Sequence, residues 1–559
     1  MTATAPITQV LDRRRRRLLL GSAGVAAAAS IGLPALGADP AQPDVHIELH
    51  AEPDRVSLRP GSPTRVWRYR SALLRGEPGA LQASAGGYLG PIIRVRRGQR
   101  VRLDLFNHLS ESTIVHWHGL HVPDTMDGHP RFAIGPGARF RYEFVVDNRA
   151  GSYWFHPHPH GRTGKQVYAG MAGLFLVSDD EEASLGLPSG AFDLPLVIQD
   201  RLIDDDNQFV YPPGGDDAAA EPRRGGMGQG RGGGMMGLGM GMGGGGMMGR
   251  GGMGRVMAGM MGVLGDRILV NGSLQGSREV ERRAYRLRLL NASNTRTLKL
   301  AWSDGTPLNV IASGGGLLAA PLQRGYVMLP PADRVELCVD FSHWAAGSEA
   351  VLRSLAFDGG IGMGGMGGMM GGGSGGLADG AAFDVQRFKV GGAAAHADVL
   401  PAKLATVAAA QPRQAVNADR PKVFDLTMRM MEWGINGASF DMLAASPLET
   451  VKLGTQEVWE FRNEGRGAMM GMVMPHSMHV HGLQFRVLAR EVSSRFAAEY
   501  ATIDAGHVDE GWKDTVLVMP GERVRILLRF ADFPGLFLYH CHMLEHEDTG
   551  LMRNYLVKA

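Results

Sequence analysis

Short runs of alternating apolar and polar residues recur along the whole chain, usually as two runs joined by a tight turn. Four such units occupy residues 92–107, 326–341, 449–463 and 515–530. In each unit a glycine or proline beside a charged residue separates the runs, as in IIRVRRGQRVRLDLFN. Alternation with a period of two around a turn predicts strand, turn and strand. Because few helical patterns lie between these units, we expect an all-β fold built from sandwich domains.

Changes in composition divide the 559 residues into three domains, which agrees with a usual domain size of about 150 residues. The first domain is predicted at 44–178, the second at 192–390 and the third at 422–559. The Ala- and Pro-rich stretch 391–421 has the composition of an irregular linker.

Two segments rich in methionine and glycine interrupt the second predicted domain. Residues 225–262 contain 11 methionines, and residues 359–375 contain four more. Methionine commonly fills gaps in a core, but a glycine-rich chain has no core to fill. Thioether sulfur is a soft ligand that prefers Cu(I). We therefore interpret the two segments as sites of copper capture.

The N-terminal residues 1–38 have the features of an export signal. Five arginines, Arg13 to Arg17, precede a weakly apolar run rich in Ala and Gly. This pattern resembles a twin-arginine signal, which predicts recognition by the twin-arginine export machinery and a periplasmic location. An uncleaved membrane anchor is the alternative. The net charge of +2 gives no indication of a nucleic-acid partner, and we expect a monomer.

The 19 histidines are concentrated in four short motifs near the two ends of the chain. The predicted first domain contains HWHGLH and WFHPHPHG, and the third contains PHSMHVHGL and YHCHMLEHE. In both domains the first motif follows a strand ending in asparagine, Asn107 or Asn463, which indicates a duplicated domain with the metal positions kept. The histidines that form His-x-His pairs are His116, His118, His156, His158, His479, His481, His540 and His542.

A His-x-His pair on a strand points both imidazoles to one face, because side chains alternate. Eight imidazoles could therefore surround a small metal cluster if the first and third domains face each other, although imidazole alone suits Cu, Zn, Fe and Ni. Cys541 lies between His540 and His542 and points away from them. With His476 and His546 it forms a His2Cys set, the ligand set of blue-copper electron-transfer sites. Cys338 is expected to be a buried strand residue.

These motifs resemble the three-domain multicopper oxidases over essentially the whole mature chain. The likeness is greatest to the bacterial copper-efflux oxidases, through HWHG, WFHPHPHG, INGASFDM, GWKDTV and HCHMLEHEDTG. The resemblance implies three consecutive cupredoxin-like Greek-key β-sandwich domains that hold four copper ions. It also implies a laccase-type oxidoreductase that takes single electrons from a reducing substrate and reduces O2 to water.

Carried over by position, the resemblance assigns each ligand to one copper site. His476, Cys541 and His546 would hold the type 1 copper, and His116 and His479 the type 2 copper. The binuclear type 3 pair would be held by His118, His156, His158, His481, His540 and His542.

Several further positions follow from the same resemblance. Asp127 and Glu547 match acidic residues that supply protons near the cluster, with a surface loop acid as the alternative for Asp127. Leu551 occupies the position of the family's axial methionine, so we expect a type 1 site without a sulfur axial ligand. A slip of one residue would instead place Met552 on the copper. The proline before His476 also comes one position early, at Pro475, which predicts a local turn different from that of the family.

The substrate is open on sequence grounds. Met474 and Met472 match the region where copper-efflux enzymes hold substrate copper, which favours oxidation of Cu(I) and copper detoxification. A laccase-like oxidase of phenols, bilirubin-type pigments or Mn(II) is the alternative within the enzyme class. A copper-sequestering protein, or a scaffold of the same fold, is the alternative outside it, although scaffolds of this kind lose copper ligands.

Overall fold

Strands dominate the computed structural model of this chain, which describes residues 42–84, 87–211, 261–274, 276–358, 377–394, 399–429, 432–465 and 473–559. The α-helices of these ranges are short: α1 Thr163–Tyr168, α2 Asp180–Ala183, α3 Ala497–Tyr500 and α4 Leu544–Asp548. None of the helices in the described ranges is long and apolar enough to cross a membrane. The expected all-β class is confirmed.

The first pair of sheets lies between Val45 and Ser178. Its strands are β1 Val45–Val56, β2 Thr64–Arg75, β3 Leu81–Gln82, β4 Ile92–Arg96, β5 Arg100–Asn107, β6 Val115–His118, β7 Arg139–Val145, β8 Gly151–Pro157 and β9 Gly173–Ser178. One sheet has the order β2-β1-β5-β7 and the other β3-β4-β9-β8-β6. Leu49 from the first sheet and Trp117 from the second meet in one buried core.

The second pair of sheets lies between Asp193 and Ala394. Its strands are β10 Asp193–Arg201, β11 Arg267–Val270, β12 Ser273–Leu274, β13 Ser277–Arg282, β14 Ala284–Asn291, β15 Leu298–Trp302, β16 Leu308–Ser313, β17 Gly316–Arg324, β18 Val327–Leu329, β19 Arg334–Asp340, β20 Glu349–Ser354 and β21 Phe383–Ala394. The two sheets have the orders β12-β11-β10-β14-β19-β16-β17 and β13-β21-β20-β15-β18.

The third pair of sheets lies between Lys422 and Lys558. Its strands are β22 Lys422–Arg429, β23 Glu432–Ile435, β24 Thr450–Lys452, β25 Gln456–Arg462, β26 His476–Val480, β27 Phe485–Val492, β28 Thr515–Val518, β29 Glu522–Arg529, β30 Gly535–Cys541 and β31 Met552–Lys558. The orders are β23-β22-β25-β29-β27 and β24-β31-β30-β26-β28. Cys541 belongs to the apolar core between these two sheets.

The same strand connectivity recurs in all three pairs of sheets. One sheet of each pair contains a parallel contact, namely β1 with β5, β10 with β14, and β22 with β25. The other sheet contains a second one, namely β4 with β9, β13 with β21, and β24 with β31. Parallel strands need a long crossover between them, so each pair of sheets is joined by the same kind of crossover. The chain therefore folds as three related sandwiches.

Several sequence predictions fall on parts of the chain outside the described residues. These are the export signal at 1–38, the methionine-rich segments at 225–262 and 359–375 apart from Met261 and Gly262, and Met472. The described flanks of the two methionine-rich segments nevertheless have defined contacts.

Replacing Phe388 with alanine should destabilise the second sandwich without touching the histidine motifs. Phe388 is fully buried, and its ring packs 5.1 Å from that of Phe341 and 5.9 Å from that of Trp302. Loss of a buried phenylalanine costs about 3–5 kcal/mol of unfolding free energy, measurable by denaturant titration. Val399→Ala is the control, since Val399 is 88% exposed. Equal stability of the two variants would contradict this packing.

Candidate metal centre

Two antiparallel strand pairs bring the His-x-His motifs together. In the first sandwich β6 pairs with β8, so that His116 lies opposite His156. In the third sandwich β26 pairs with β30 in the same way, so that His479 lies opposite His540. Directly opposed residues of an antiparallel pair share one face of the sheet. Each sandwich therefore presents its imidazoles on a single face, and the two faces meet.

The eight paired histidines form one buried cluster. Within it, each set of three histidines close enough to hold one metal ion contains residues of both the first and the third sandwich. All eight side chains are buried, with exposed fractions of 0–1%. Ligand nitrogens of the first group converge from His118, His156 and His542. Those of the second group converge from His158, His481 and His540. His116 and His479 face each other between the groups, and His118 also lies within reach of this pair.

The distances between facing nitrogens fit a shared metal ion. Imidazole nitrogens lie about 2 Å from a bound metal, so two on one ion are about 3 Å apart. The Nε2 atoms of His116 and His479 are 3.3 Å apart. Those of His156 and His542 are 3.2 Å apart. His540 Nε2 lies 3.3 Å from His158 Nε2 and 2.9 Å from His481 Nε2.

Hydrogen bonds on the far side of most rings leave Nε2 for the metal. Nδ1 of His116 donates to the Asp127 carbonyl at 2.7 Å, and Nδ1 of His479 donates to the Asp514 carbonyl at 2.8 Å. His156 and His540 donate likewise to the carbonyls of Pro157 and Cys541. Such partners set the tautomer and orientation of a metal-bound histidine.

His118 has the opposite arrangement. Its Nε2 contacts the Asp514 carboxylate at 3.0 Å and the Thr515 hydroxyl at 3.1 Å. Its Nδ1 is buried and has no hydrogen-bond partner among the described residues. A buried polar atom without a partner costs stability. Nδ1 is therefore the atom through which the His118 ring would bind a metal ion.

Burial also keeps the imidazoles in the neutral form that binds metals. Burial, with repulsion from His158 and other neighbours, lowers the pKa of His156 to about 3. Burial lowers the pKa of His158 to about 4, although Glu547 opposes the shift. The pKa values of His116, His118, His479, His481 and His542 are lowered in the same direction, with burial as the largest cause. Neutral imidazole is the metal ligand, so these rings need no proton release to bind.

A second cluster lies on the other face of β30 and contains His476, Cys541 and His546. The Cys541 sulfur is 3.7 Å from His546 Nδ1 and accepts a hydrogen bond from the Met543 amide at 3.4 Å. His476 Nδ1 is buried without a hydrogen-bond partner in the described chain. Burial raises the pKa of the Cys541 thiol to about 12. The sulfur therefore stays protonated at neutral pH unless a metal ion replaces its proton.

Strand register decides which of Leu551 and Met552 faces this cluster. In the pairing of β30 with β31, Met552 lies opposite His540 and so shares the histidine face. The next pair outward is Cys541 with Leu551, whose carbonyl accepts a hydrogen bond from the Cys541 amide at 3.0 Å. Leu551 is fully buried and packs in the same apolar core as Cys541. The slip that would bring Met552 to the sulfur face is not present.

The two acidic residues singled out by sequence both lie against the histidine cluster. Asp127 is fully buried, which excludes a surface loop acid; its Oδ2 accepts from His481 Nδ1 at 2.7 Å. Its Oδ1 has no hydrogen-bond partner in the described ranges. Burial raises the pKa of Asp127. Burial also acts to raise the pKa of Glu547, but His158 and His540 outweigh it and hold that pKa at about 2.

Three residues near the clusters were missed by sequence reasoning. Asp514 contacts His118 and is held from the second sandwich by Arg334, whose Nη1 lies 2.6 Å from its Oδ1. Trp433 packs against both imidazoles of the His2Cys cluster, with its ring centroid 4.5 Å from that of His546 and 4.9 Å from that of His476. The GWKDTV motif contains Asp514 and was the only available signal, because Arg334 and Trp433 are distant in sequence from every histidine motif.

An all-β fold with a His2Cys cluster beside a cage of neutral imidazoles defines a copper-binding redox protein. Two sequence profiles, both described as multicopper oxidase, match residues 68–182 and 415–559. A laccase from Bacillus subtilis is 27% identical, and the match covers 88% of this chain and 90% of the laccase.

Solved structures agree with the sequence matches. The multicopper oxidase McoA from Aquifex aeolicus is 30% identical with a TM-score of 0.71, covering 93% of this chain and 97% of McoA. A laccase-like multicopper oxidase, CueO from Ochrobactrum sp., is 26% identical with a TM-score of 0.67, covering 92% of this chain and 97% of CueO. The chain belongs to the multicopper oxidase family of copper oxidoreductases, which use O2, and its three sandwiches are cupredoxin domains.

Replacing Cys541 with serine should remove one copper ion per chain and abolish the blue absorption. A serine hydroxyl cannot replace the thiolate of a His2Cys copper site, whereas the histidine cage on the opposite face is untouched. Metal analysis and visible and EPR spectra would measure both effects. Cys338→Ala is the matched control, because this second buried cysteine lies in β19. Blue colour retained in the serine variant would refute the assignment.

Replacing Leu551 with methionine should lower the reduction potential of the blue site. The new thioether would lie on the face of Cys541, where an axial sulfur tunes the potential downward. We expect a fall of on the order of 59 mV or more, a tenfold change in a one-electron equilibrium, measured by redox titration of the blue band. Met552→Leu should leave the potential unchanged because Met552 faces the histidine side. An equal shift in both variants would contradict the register.

Proposed function

We propose that this protein is a cuprous oxidase that binds four copper ions and detoxifies copper. The His2Cys cluster would hold type 1 copper, His116 and His479 type 2 copper, and the two histidine triads the type 3 pair. The direct covalent link between the clusters carries the electron-transfer part of the proposal, since Cys541 is bonded to His540 and His542. The overall reaction is 4 Cu(I) + O2 + 4 H+ → 4 Cu(II) + 2 H2O.

Bound copper would supply one-electron transfer and the reduction of O2. The chain supplies the remainder of the chemistry. The backbone from Cys541 to its neighbouring histidines offers a short covalent path for electrons. Full burial of the eight imidazoles keeps bulk water away from the cluster. A proton for water formation can be held at Asp127, since burial raises its pKa and its Oδ1 has no hydrogen-bond partner in the described ranges. The Glu547 carboxylate, whose Oε2 lies 3.1 Å from His540 Nδ1, is ionised and can relay protons rather than hold them.

Methionine near the type 1 ligands supports Cu(I) as the substrate. Met474 is buried two residues before His476, and its carbonyl accepts a hydrogen bond from Asn463 at 2.6 Å. Met261, at the end of the first methionine-rich segment, packs against the core that contains Cys541. Thioether ligands select Cu(I) over harder ions. Two methionines therefore lie close to the His2Cys cluster, Met474 along the chain and Met261 through packing.

A laccase-like oxidase of phenols, bilirubin-type pigments or Mn(II) is the second candidate. It is favoured by the relatives named as laccases and by Leu551, because an apolar axial position raises the potential and so suits less reducing organic substrates. A copper-sequestering protein is the third candidate, and it would bind Cu(I) without turnover. For the cellular setting we propose export to the periplasm by the twin-arginine route, from the arginines at 13–17, and a monomeric state.

Deleting residues 225–258 should lower kcat/KM for Cu(I) by about tenfold and leave phenol oxidation equal or faster. The deletion keeps the anchored residues Met261 to Val263. Loss of soft thioether ligands weakens Cu(I) capture, whereas oxidation of a phenol does not use them. Steady-state O2 consumption with each substrate measures the effect.

A variant of full length, with the methionines of 225–258 changed to leucine, is the matched control for this deletion. It should show the same loss of Cu(I) oxidation if sulfur, rather than bulk, is responsible. Unchanged rates with both substrates would rule out a role for the segment. Tight Cu(I) binding with no turnover would favour sequestration instead.

A further inference from the structure

Four consecutive residues of α4, from Glu545 to Asp548, differ in their hydrogen-bond partners. His546 belongs to the His2Cys cluster, and the carboxylate of Glu547 lies against His158 and His540. Asp548 accepts hydrogen bonds from the amides of Thr163 and Gly164 at the start of α1. Glu545 is also buried, yet it touches neither copper cluster, and the proposed function gives it no role.

The carboxylate of Glu545 collects hydrogen bonds from four residues of the second sandwich and its flanks. Oε1 accepts from the Tyr211 hydroxyl at 3.0 Å and from Asn294 Nδ2 at 2.7 Å. Oε2 accepts from the Thr295 hydroxyl at 2.7 Å and more weakly from the Val263 amide at 3.4 Å. Hydrogen bonds to a charged acceptor are stronger than neutral ones. Removing the charge should therefore loosen all four contacts together.

Two of these partners flank the first methionine-rich segment. Tyr211 is the last described residue before the segment, and Val263 lies just after it. A Cβ on Gly262 would come within 2.1 Å of the Thr295 hydroxyl, and Gly262 has a φ of +77°, so only glycine suits this close approach. Both flanks of the segment therefore donate hydrogen bonds to the carboxylate of Glu545. Glu545 directly precedes the type 1 ligand His546 in the chain.

The second methionine-rich segment is tied to the same place. Leu377, the first described residue after it, donates its amide to the Gly265 carbonyl at 3.1 Å. Arg296 donates to the carbonyls of Gly265 and Leu377 and forms a buried ion pair with Asp200. The flanks of the two segments thus meet at Arg296 and Gly265, which lie one and two residues from the Glu545 partners Thr295 and Val263.

We propose that Glu545 is a positioning residue that couples the flanks of the methionine-rich segments to the type 1 copper site. Its hydrogen bonds hold α4, and with it His546, in register with Tyr211 and Val263. Disturbing this carboxylate alters the geometry of the type 1 site and the use of Cu(I) together. The assignment of the His2Cys cluster as the type 1 site and the choice of Cu(I) as substrate both rest on the proposed function.

The test compares three variants of the copper-loaded, full-length protein. Glu545→Gln keeps the shape and removes the charge, and Tyr211→Phe removes a single hydroxyl that is remote in sequence from every ligand. Glu449→Gln is the control for a purely structural effect. Glu449 is a buried carboxylate of the same domain that accepts hydrogen bonds from Tyr539, Arg553 and Ser446 instead.

We expect Glu545→Gln to change the EPR signal and potential of the type 1 copper and to raise KM for Cu(I) by about fivefold, a modest coupling between sites. Tyr211→Phe should change the type 1 potential and the KM for Cu(I) in the same directions as Glu545→Gln, but by smaller amounts. Signals of the histidine cage should not change. Glu449→Gln should lower Tm alone.

The proposal is overturned if Glu545→Gln and Tyr211→Phe lower Tm as Glu449→Gln does, with type 1 EPR and potential unchanged. Failure of the wild-type enzyme to oxidise Cu(I) would instead refute the proposed function. The type 1 spectrum and potential would still decide the role of Glu545 in that case, because they require no Cu(I) turnover.

Discussion

The alternation of side chains along β26 and β30 is the constraint on which both metal clusters depend. His540 on β30 and His542 directly after this strand point to one face, and Cys541 between them points to the other. His476 on β26 shares the sulfur face, whereas His479 on β26 and His481 directly after it share the cage face. Two sites of different chemistry are therefore separated by the thickness of one strand, and the peptide backbone joins them directly. A shift of either strand by one residue would exchange the two faces.

Burial gives this arrangement its chemistry. Imidazoles removed from water and crowded together remain neutral, and a buried thiol remains protonated, so this set of donors favours metal cations over protons. The cost of burying unpartnered nitrogens is offset only when metal occupies them. The second sandwich supplies no member of the metal groups found in the described chain, yet it holds them from outside, through Arg334 at Asp514 and through Thr295 at Glu545.

Much of this could be predicted from sequence because it depends on local geometry. Period-two alternation predicted strands, and the parity of HxH and HCH predicted which side chains share a face. The choice between Leu551 and Met552 could not be made in this way. It depends on the register between β30 and β31, which is set by pairing along their whole length. Trp433 and Arg334 were missed because neither belongs to a motif, and only folding brings them to the clusters.

By itself, the sequence determined the all-β class, the repeated histidine pairs and the separation of Cys541 from its neighbours. Tertiary structure decided which imidazoles share an ion, for the partners His116 and His479 are 363 residues apart and come from different sandwiches. It also decided that His118 presents Nδ1, since Asp514 occupies its Nε2. The physical reason is the distance along the chain over which each feature is set. The alternation of side chains between two faces depends on a few bonded residues, whereas the contacts between domains depend on the packing of whole sheets.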